Sequence, residues 1–129
     1  MSGRSVDVLL IGGGVASATC AQTLREQGFE GGVLLVAREL DPPYDRPPLT
    51  KEYLRGEQPR EASAMPEPGW FDKDATELLT RTSVTKLDTA AKEATLSTKE
   101  TVAYGKALIA TGSLLRRLQV PGKIGRAHV

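Results

Sequence analysis

The chain has 129 residues, 40% of them apolar and 26% charged, which is the composition of an ordinary soluble globular unit with one core. Seventeen Lys and Arg against sixteen Asp and Glu leave a formal charge of +1, giving neither a basic field for nucleic acid nor an acidic tail. No apolar run approaches the roughly 18–20 residues that span a bilayer, and the amino terminus lacks a basic-then-apolar signal pattern, so no membrane partner is expected and the cytoplasm is the expected compartment.

Val6-Asp7-Val8-Leu9-Leu10-Ile11 is a nearly unbroken apolar run rich in β-branched residues, as in a strand buried on both faces of a parallel sheet. After a run of glycines, Ser17, Ala21, Leu24 and Gly28 fall at helical spacing on one face, and Gly28 supplies a stop. Val33-Leu34-Leu35-Val36-Ala37 repeats the buried-strand signature, so the first 39 residues form a right-handed βαβ unit. Cys20 is the sole cysteine. It suits a small buried helix residue, and a dithiol mechanism needs a second cysteine.

Residues 40–69 hold seven of the eight prolines and no sustained period, which marks a long excursion from the sheet with a short helix expected over 51–54. A helix is expected over 70–79, then a strand Ser83-Val84-Thr85-Lys86-Leu87. A hairpin follows, formed by Ala94-Thr95-Leu96-Ser97-Thr98 and Thr101-Val102-Ala103-Tyr104 around Lys99-Glu100. Lys106-Ala107-Leu108-Ile109-Ala110 is expected as a separate final strand running into Thr111-Gly112.

The chemistry concentrates at the first turn. Gly12-Gly13-Gly14-Val15-Ala16-Ser17 follows a buried strand and opens a helix, which is the dinucleotide fingerprint with Ser17 where the third glycine usually stands. Gly12 allows the tight turn and Gly14 lets a diphosphate approach the backbone. Ser17 is small enough to share the packing role of a glycine, and the helix amino terminus offers free amides and the positive end of its dipole. Glu39, just past the second strand, can accept hydrogen bonds from ribose hydroxyls. Its neighbour Arg38 can instead hold a 2′-phosphate, so this motif alone leaves FAD and a nicotinamide cofactor both open.

Pro43-Tyr44-Asp45-Arg46-Pro47-Pro48-Leu49-Thr50-Lys51-Glu52-Tyr53-Leu54 resembles the Tyr-x-Arg-Pro-Pro-Leu-Ser-Lys segment of the FAD-dependent ferredoxin and rubredoxin reductases, with Thr50 for the usual Ser. That family includes the reductase components of ring-hydroxylating dioxygenases and the apoptosis-inducing-factor group, within the pyridine nucleotide-disulfide oxidoreductases. The likeness extends from about Val6 to Gly122. It implies an α/β, Rossmann-like FAD-binding fold, incomplete here, made of the βαβ unit, the Pro-rich excursion and a β-hairpin. It also implies that Lys51 lies near the isoalloxazine ring, that Arg46 lies along the same cofactor, and that Val84 contacts the adenine through its backbone. Ala110-Thr111-Gly112 resembles the strand end where such chains pass the FAD and cross to a nicotinamide domain.

The resemblance implies a parent oxidoreductase that takes electrons from NAD(P)H through FAD to a ferredoxin- or rubredoxin-type acceptor, the present chain alone being inactive. Neither a catalytic side chain nor a metal ligand is assigned. A stand-alone NAD(P)-binding module without flavin is the alternative; Tyr44 and Trp70 are expected as packing residues outside the site. Residues 1–122 are expected to be the amino-terminal part of the FAD-binding domain. Residues 123–129 back-translate, from Ile124, as ATC GGA AGA GCA CAC GTC, the start of a common sequencing adapter, and are expected to be a non-native tail.

Overall fold

The computed structural model describes residues 3–67, 69–72, 76–114 and 116–122; the expected tail, 123–129, lies outside them. Nine-residue β1 (Gly3–Ile11) is followed by α1 (Val15–Glu26), β2 (Val33–Val36), β3 (Thr76–Leu79), β4 (Val84–Asp88), β5 (Glu93–Leu96) and β6 (Thr101–Ile109). All six strands form one sheet in the order β3-β2-β1-β6-β5-β4. The first four strands in that order run parallel, and β5 and β4 continue it antiparallel. This is the Rossmann-like α/β arrangement the sequence implied.

Each face of the parallel part is covered differently. On one side Leu10, Val33, Leu35 and Ala37 pack with Ala21 of α1. The helix lies close because its buried positions, Ser17, Ala18 and Ala21, are small. On the other side Leu9, Ile11, Leu34 and Val36 form one cluster with Ala94, Leu96, Val102 and Tyr104 of β5 and β6, strands of the same sheet. Burying each such Leu or Val contributes about 1.5–3 kcal/mol, so these two clusters dominate the fold's stability.

The face that β1 presents changes at Asp7. The amides of Asp7 and Val8 both donate to the carbonyl of Gly32, each at 3.0 Å. Val6 clusters with Leu9 and Ile11 while Val8 packs on the helix side, although strict alternation would put Val6 and Val8 together. β6 changes face at the same level, Tyr104 lying with Leu9 and Leu108 with Leu10, so the β1–β6 register is kept.

The helix stops where the sequence predicts. Gly28 adopts φ 90°, and its amide donates to Arg25 O at 3.1 Å while that of Phe29 donates to Leu24 O at 2.9 Å. This is a Schellman end, and only glycine takes that backbone without strain. Arg25 then ties the turn to the sheet by donating to Phe29 O (2.8 Å), Gly31 O (2.9 Å) and the Thr76 hydroxyl (2.9 Å).

Three expectations are corrected. Residues 70–79 do not form one helix: Trp70–Asp72 is a single 3-10 turn, and Thr76–Leu79 is β3, paired with β2 from Val33↔Thr76 to Val36↔Leu79. The open edge of β2 offers backbone partners, and satisfying them outweighs the helical propensity of Glu and Leu. The short helix at 51–54 begins earlier, as a 3-10 turn over Pro47–Thr50, because a proline at the first helical position already has the required φ. The hairpin's second strand and the final strand are one element. β6 runs alongside β1 from Gly3↔Thr101 to Ile11↔Ile109, and that continuous partner carries it through Gly105.

The Pro-rich excursion is closed at its neck. Asp45 N donates to Ser63 O at 2.7 Å and Met65 N to Pro43 O at 3.0 Å, forming a bridge between Tyr44 and Ala64. Both ends of the loop are thereby held beside the carboxyl end of β2.

Candidate functional site

A groove of about 550 Å³ opens at the carboxyl ends of β1, β2 and β6. Chain order reverses between β1 and β6, and open α/β sheets bind ligands at such a switch point. Its floor is the turn after β1, where the Gly12 amide donates to Val36 O at 2.9 Å. Gly12 has φ 122°, and a Cβ there would overlap the carbonyl oxygen of Ala110, which itself follows β6. A Cβ on Gly13 would lie 2.6 Å from that of Ala37. Gly14 differs, because a Cβ on it would meet nothing within 4 Å. The first two glycines are therefore demanded by packing inside the protein, and the third leaves open space above the backbone.

Gly14 is also the residue that caps α1. The helix start has no side-chain cap and no acidic residue in its first turn. Its free amides and dipole are therefore available to an anion from the groove side. Ser17, at the fingerprint's last position, is fully buried, and its hydroxyl has no hydrogen-bond partner. It packs under the helix and does not line the groove.

The wall beyond β2 carries the charged groups. Arg46 Nη2 meets Glu39 Oε2 at 2.8 Å, Arg46 Nη1 donates to the Tyr44 hydroxyl at 2.9 Å, and that hydroxyl donates to Glu39 Oε1 at 2.9 Å. The guanidinium stacks 4.9 Å from the centre of the Tyr44 ring. The Arg46 hydrogen bond, with help from Tyr44, holds the Glu39 carboxyl below the usual glutamate range, against a smaller opposing effect of burial. Burial first, then Glu39, pushes the Tyr44 phenol up, and Glu39 pushes Arg46 up. Glu39 is thus a carboxylate with both oxygens engaged. Tyr44 was expected to be packing; its hydroxyl joins the two charged residues of the site.

The adjoining wall is brought in by the chain between β3 and β4. Ala37 N donates to Leu79 O at 2.8 Å, Arg81 N to Glu39 O at 3.0 Å and Thr82 N to Ala37 O at 2.9 Å, which delivers Thr82, Ser83 and Val84 to the groove. Ser83 is pinned in turn by Ser97, whose hydroxyl accepts from Ser83 N at 3.0 Å and whose amide donates to Ser83 O at 2.7 Å. Thr82 and Ser83 were not singled out in the sequence. Their only signal was a polar pair entering a strand.

The groove gathers Gly12, Gly14, Val15, Ala16, Glu39, Arg46, Val84, Ala110, Thr111 and Gly112, together with Arg38. Lys51 does not line it: this exposed side chain sits on the turn after Pro47–Thr50, with its amide bonded to Pro48 O. Among the described residues no cluster of His, Cys, Asp and Glu suits a metal, and no helix is long and apolar enough to cross a membrane.

Known proteins share this arrangement. The chain is 43% identical over 117 residues to the ferredoxin–NAD(+) reductase subunit of the benzene 1,2-dioxygenase system of Pseudomonas putida, covering 89% of the chain and 28% of that protein. It is 31% identical over 115 residues to the rubredoxin–NAD(+) reductase of Pseudomonas putida, covering 89% and 30%. Among solved structures, it superposes on the covalent putidaredoxin reductase–putidaredoxin complex with a TM-score of 0.83 at 30% identity, over 92% of this chain and 28% of that one. The chain thus spans less than a third of the length of these relatives. The family model described as pyridine nucleotide-disulphide oxidoreductase matches residues 6–129, nearly the whole sequence, and with the groove at the glycine turn this establishes that the chain belongs to that family.

Proposed function

We propose that residues 1–122 are the amino-terminal part of the FAD-binding domain of an NAD(P)H-dependent reductase whose parent protein passes electrons to a ferredoxin- or rubredoxin-type acceptor. The observation that carries the reading is Gly14, where open space lies over uncapped helix amides. A diphosphate fits there because a Cβ would fill the space it needs, and the helix start supplies hydrogen-bond donors without competing acids. The names of the relatives, a ferredoxin–NAD(+) reductase and a rubredoxin–NAD(+) reductase, support the choice of electron donor and acceptor.

In this reading Gly12, Gly14, Val15, Ala16 and Ser17 form the diphosphate turn: Gly14 and the amides of residues 15 and 16 face the ligand, and Ser17 packs the helix. Glu39 accepts the adenosine ribose hydroxyls, and Arg46 holds Glu39 ionised and screens its charge. Val84, with Thr82 and Ser83, borders the adenine end, while Ala110, Thr111 and Gly112 border the groove opposite Glu39. Lys51, by family resemblance, approaches the isoalloxazine end. When bound, FAD supplies the link between hydride chemistry and single-electron transfer. A cytoplasmic location goes with a reductase drawing on the soluble NAD(P)H pool.

Arg38 also lines the groove, beside Glu39, and favours a second reading in which the chain takes NADP without flavin. Titration of the purified chain with FAD and with NADP+, followed by calorimetry, separates the two. Saturable FAD binding that NADP+ does not displace supports the flavin reading. Binding of NADP+ with none of FAD replaces it by the second, and binding of neither removes both.

A further inference from the structure

We propose that Tyr44 is a positioning residue for nucleotide recognition: its hydroxyl orients the Glu39 carboxylate toward a ribose that carries a free 2′-hydroxyl. The inference rests on the dinucleotide reading above. Tyr44 does not line the groove; it lies behind Glu39 and Arg46, lining a neighbouring hollow with Asp41 and Arg60. Whatever it does for a ligand, it does through those two side chains.

The geometry shows how. A carboxylate has about four acceptor positions. Tyr44 takes one on Oε1 and Arg46 takes one on Oε2, at 2.9 and 2.8 Å. One position on each oxygen remains, the number a ribose diol requires. Glutamate is among the side chains with the most rotamer freedom, so an exposed Glu39 held at one oxygen only would sample many orientations. The second contact closes a three-membered ring of hydrogen bonds, since Arg46 Nη1 also donates to the Tyr44 oxygen at 2.9 Å.

Tyr44 is itself fixed. The paired backbone bonds of Asp45 with Ser63 and Met65 with Pro43 flank it, and its ring lies under the Arg46 guanidinium. The anchor is thus the neck of the excursion, and Tyr44 transmits that rigidity to a residue at the end of β2. A neutral hydroxyl also does this without adding a cation that would welcome a 2′-phosphate, while the charge of Arg46 is spent on Glu39.

The test is calorimetric titration of the 129-residue chain with ADP and with 2′-deoxy-ADP, alongside FAD. Wild type should prefer ADP by about tenfold, the size expected for a hydrogen bond to a charged group. Tyr44→Phe should weaken ADP several-fold and leave 2′-deoxy-ADP unchanged within about twofold, so the preference collapses. Glu39→Gln should collapse it too, and adding Tyr44→Phe in that background should change the ratio no further. Tyr44→His, which keeps a ring with an N–H donor, should restore part of the preference; if Tyr44→Phe fails to fold by circular dichroism, Tyr44→His against Glu39→Gln decides alone.

Equal weakening of both nucleotides by Tyr44→Phe would show a merely structural role and overturn the proposal. So would a preference that survives Tyr44→Phe but is lost in Glu39→Gln. Wild type that binds FAD but does not distinguish the two nucleotides overturns the Tyr44 role and leaves the dinucleotide reading standing. Wild type that binds none of the three overturns both.

Discussion

Gly12 lies directly against Ala110: the turn leaving β1 passes so close to the end of β6 that a Cβ on Gly12 would overlap the Ala110 carbonyl oxygen. Two parallel strands are thereby locked at the ends that form the groove floor. Gly12→Ala should cost about 2–5 kcal/mol, combining a backbone at φ 122° with an overlap that cannot relax without moving β6. Gly14→Ala should leave stability within about 0.5 kcal/mol, since nothing crowds it, yet weaken FAD binding by tenfold or more on the order of one lost close approach. Urea unfolding and FAD titration of both variants check the pair. Equal loss of stability in the two would mean that Gly14 is a packing residue as well.

The Ser17 hydroxyl is buried without a partner, and an unsatisfied buried polar group costs about 1–3 kcal/mol. Ser17→Ala should therefore raise the melting temperature by a few degrees, with helix propensity adding a little. Ser17→Gly, which restores the usual fingerprint residue, should gain less because glycine costs about 1 kcal/mol in a helix. Differential scanning calorimetry of the three proteins gives the order.

Arg25 bonds two carbonyls of the α1–β2 connection and the Thr76 hydroxyl on β3. Arg25→Ala should destabilise by about 2–3 kcal/mol, because carbonyls that had accepted a charged donor lose it together. Lysine cannot reproduce the planar fork, so Arg25→Lys should recover less than half of the loss. Chemical denaturation measures both.

Glu39 has its carboxyl held down chiefly by the Arg46 hydrogen bond. A carboxyl lowered in the folded state stabilises above its ordinary value of about 4.3, and the contribution is lost as pH falls through the lower, folded value. Both side chains are about half exposed, 47% for Glu39 and 58% for Arg46, so solvent screening limits the effect on folding. It should stay below about 1 kcal/mol. The larger consequence is for the ligand: FAD affinity should be flat from neutral pH down to the ordinary glutamate value of about 4.3 and fall only below it, as Glu39 takes up a proton. Fluorescence titration of FAD against pH, with Glu39→Gln as the control that lacks this acid fall, checks it.

Much of this protein was legible in its sequence because the signals are local. The apolar runs ending at Ile11 and Val36 dictate two buried strands, Gly28 ends the helix between them, and the glycine turn with Glu39 just past the second strand marks the groove. Each of these depends on residues within a few positions of one another, where backbone sterics and periodicity operate. Sequence also assigned Gly12 and Gly14 different roles, a tight turn and a close approach, though not the Ala110 carbonyl that Gly12 lies against.

What tertiary structure alone decided involves partners far apart in the chain. Thr76–Leu79 is a strand because the edge of β2 needed one, and β6 is continuous because β1 runs beside all of it. The change of face at Asp7, which puts Val6 and Val8 in different clusters, appears only when β6 and Gly32 are brought alongside. Tyr44 looked like packing because its role depends on meeting Glu39 and Arg46 at the closed neck of a loop. That loop's path is set by backbone bonds to Ser63 and Met65, a long-range closure that no local pattern encodes.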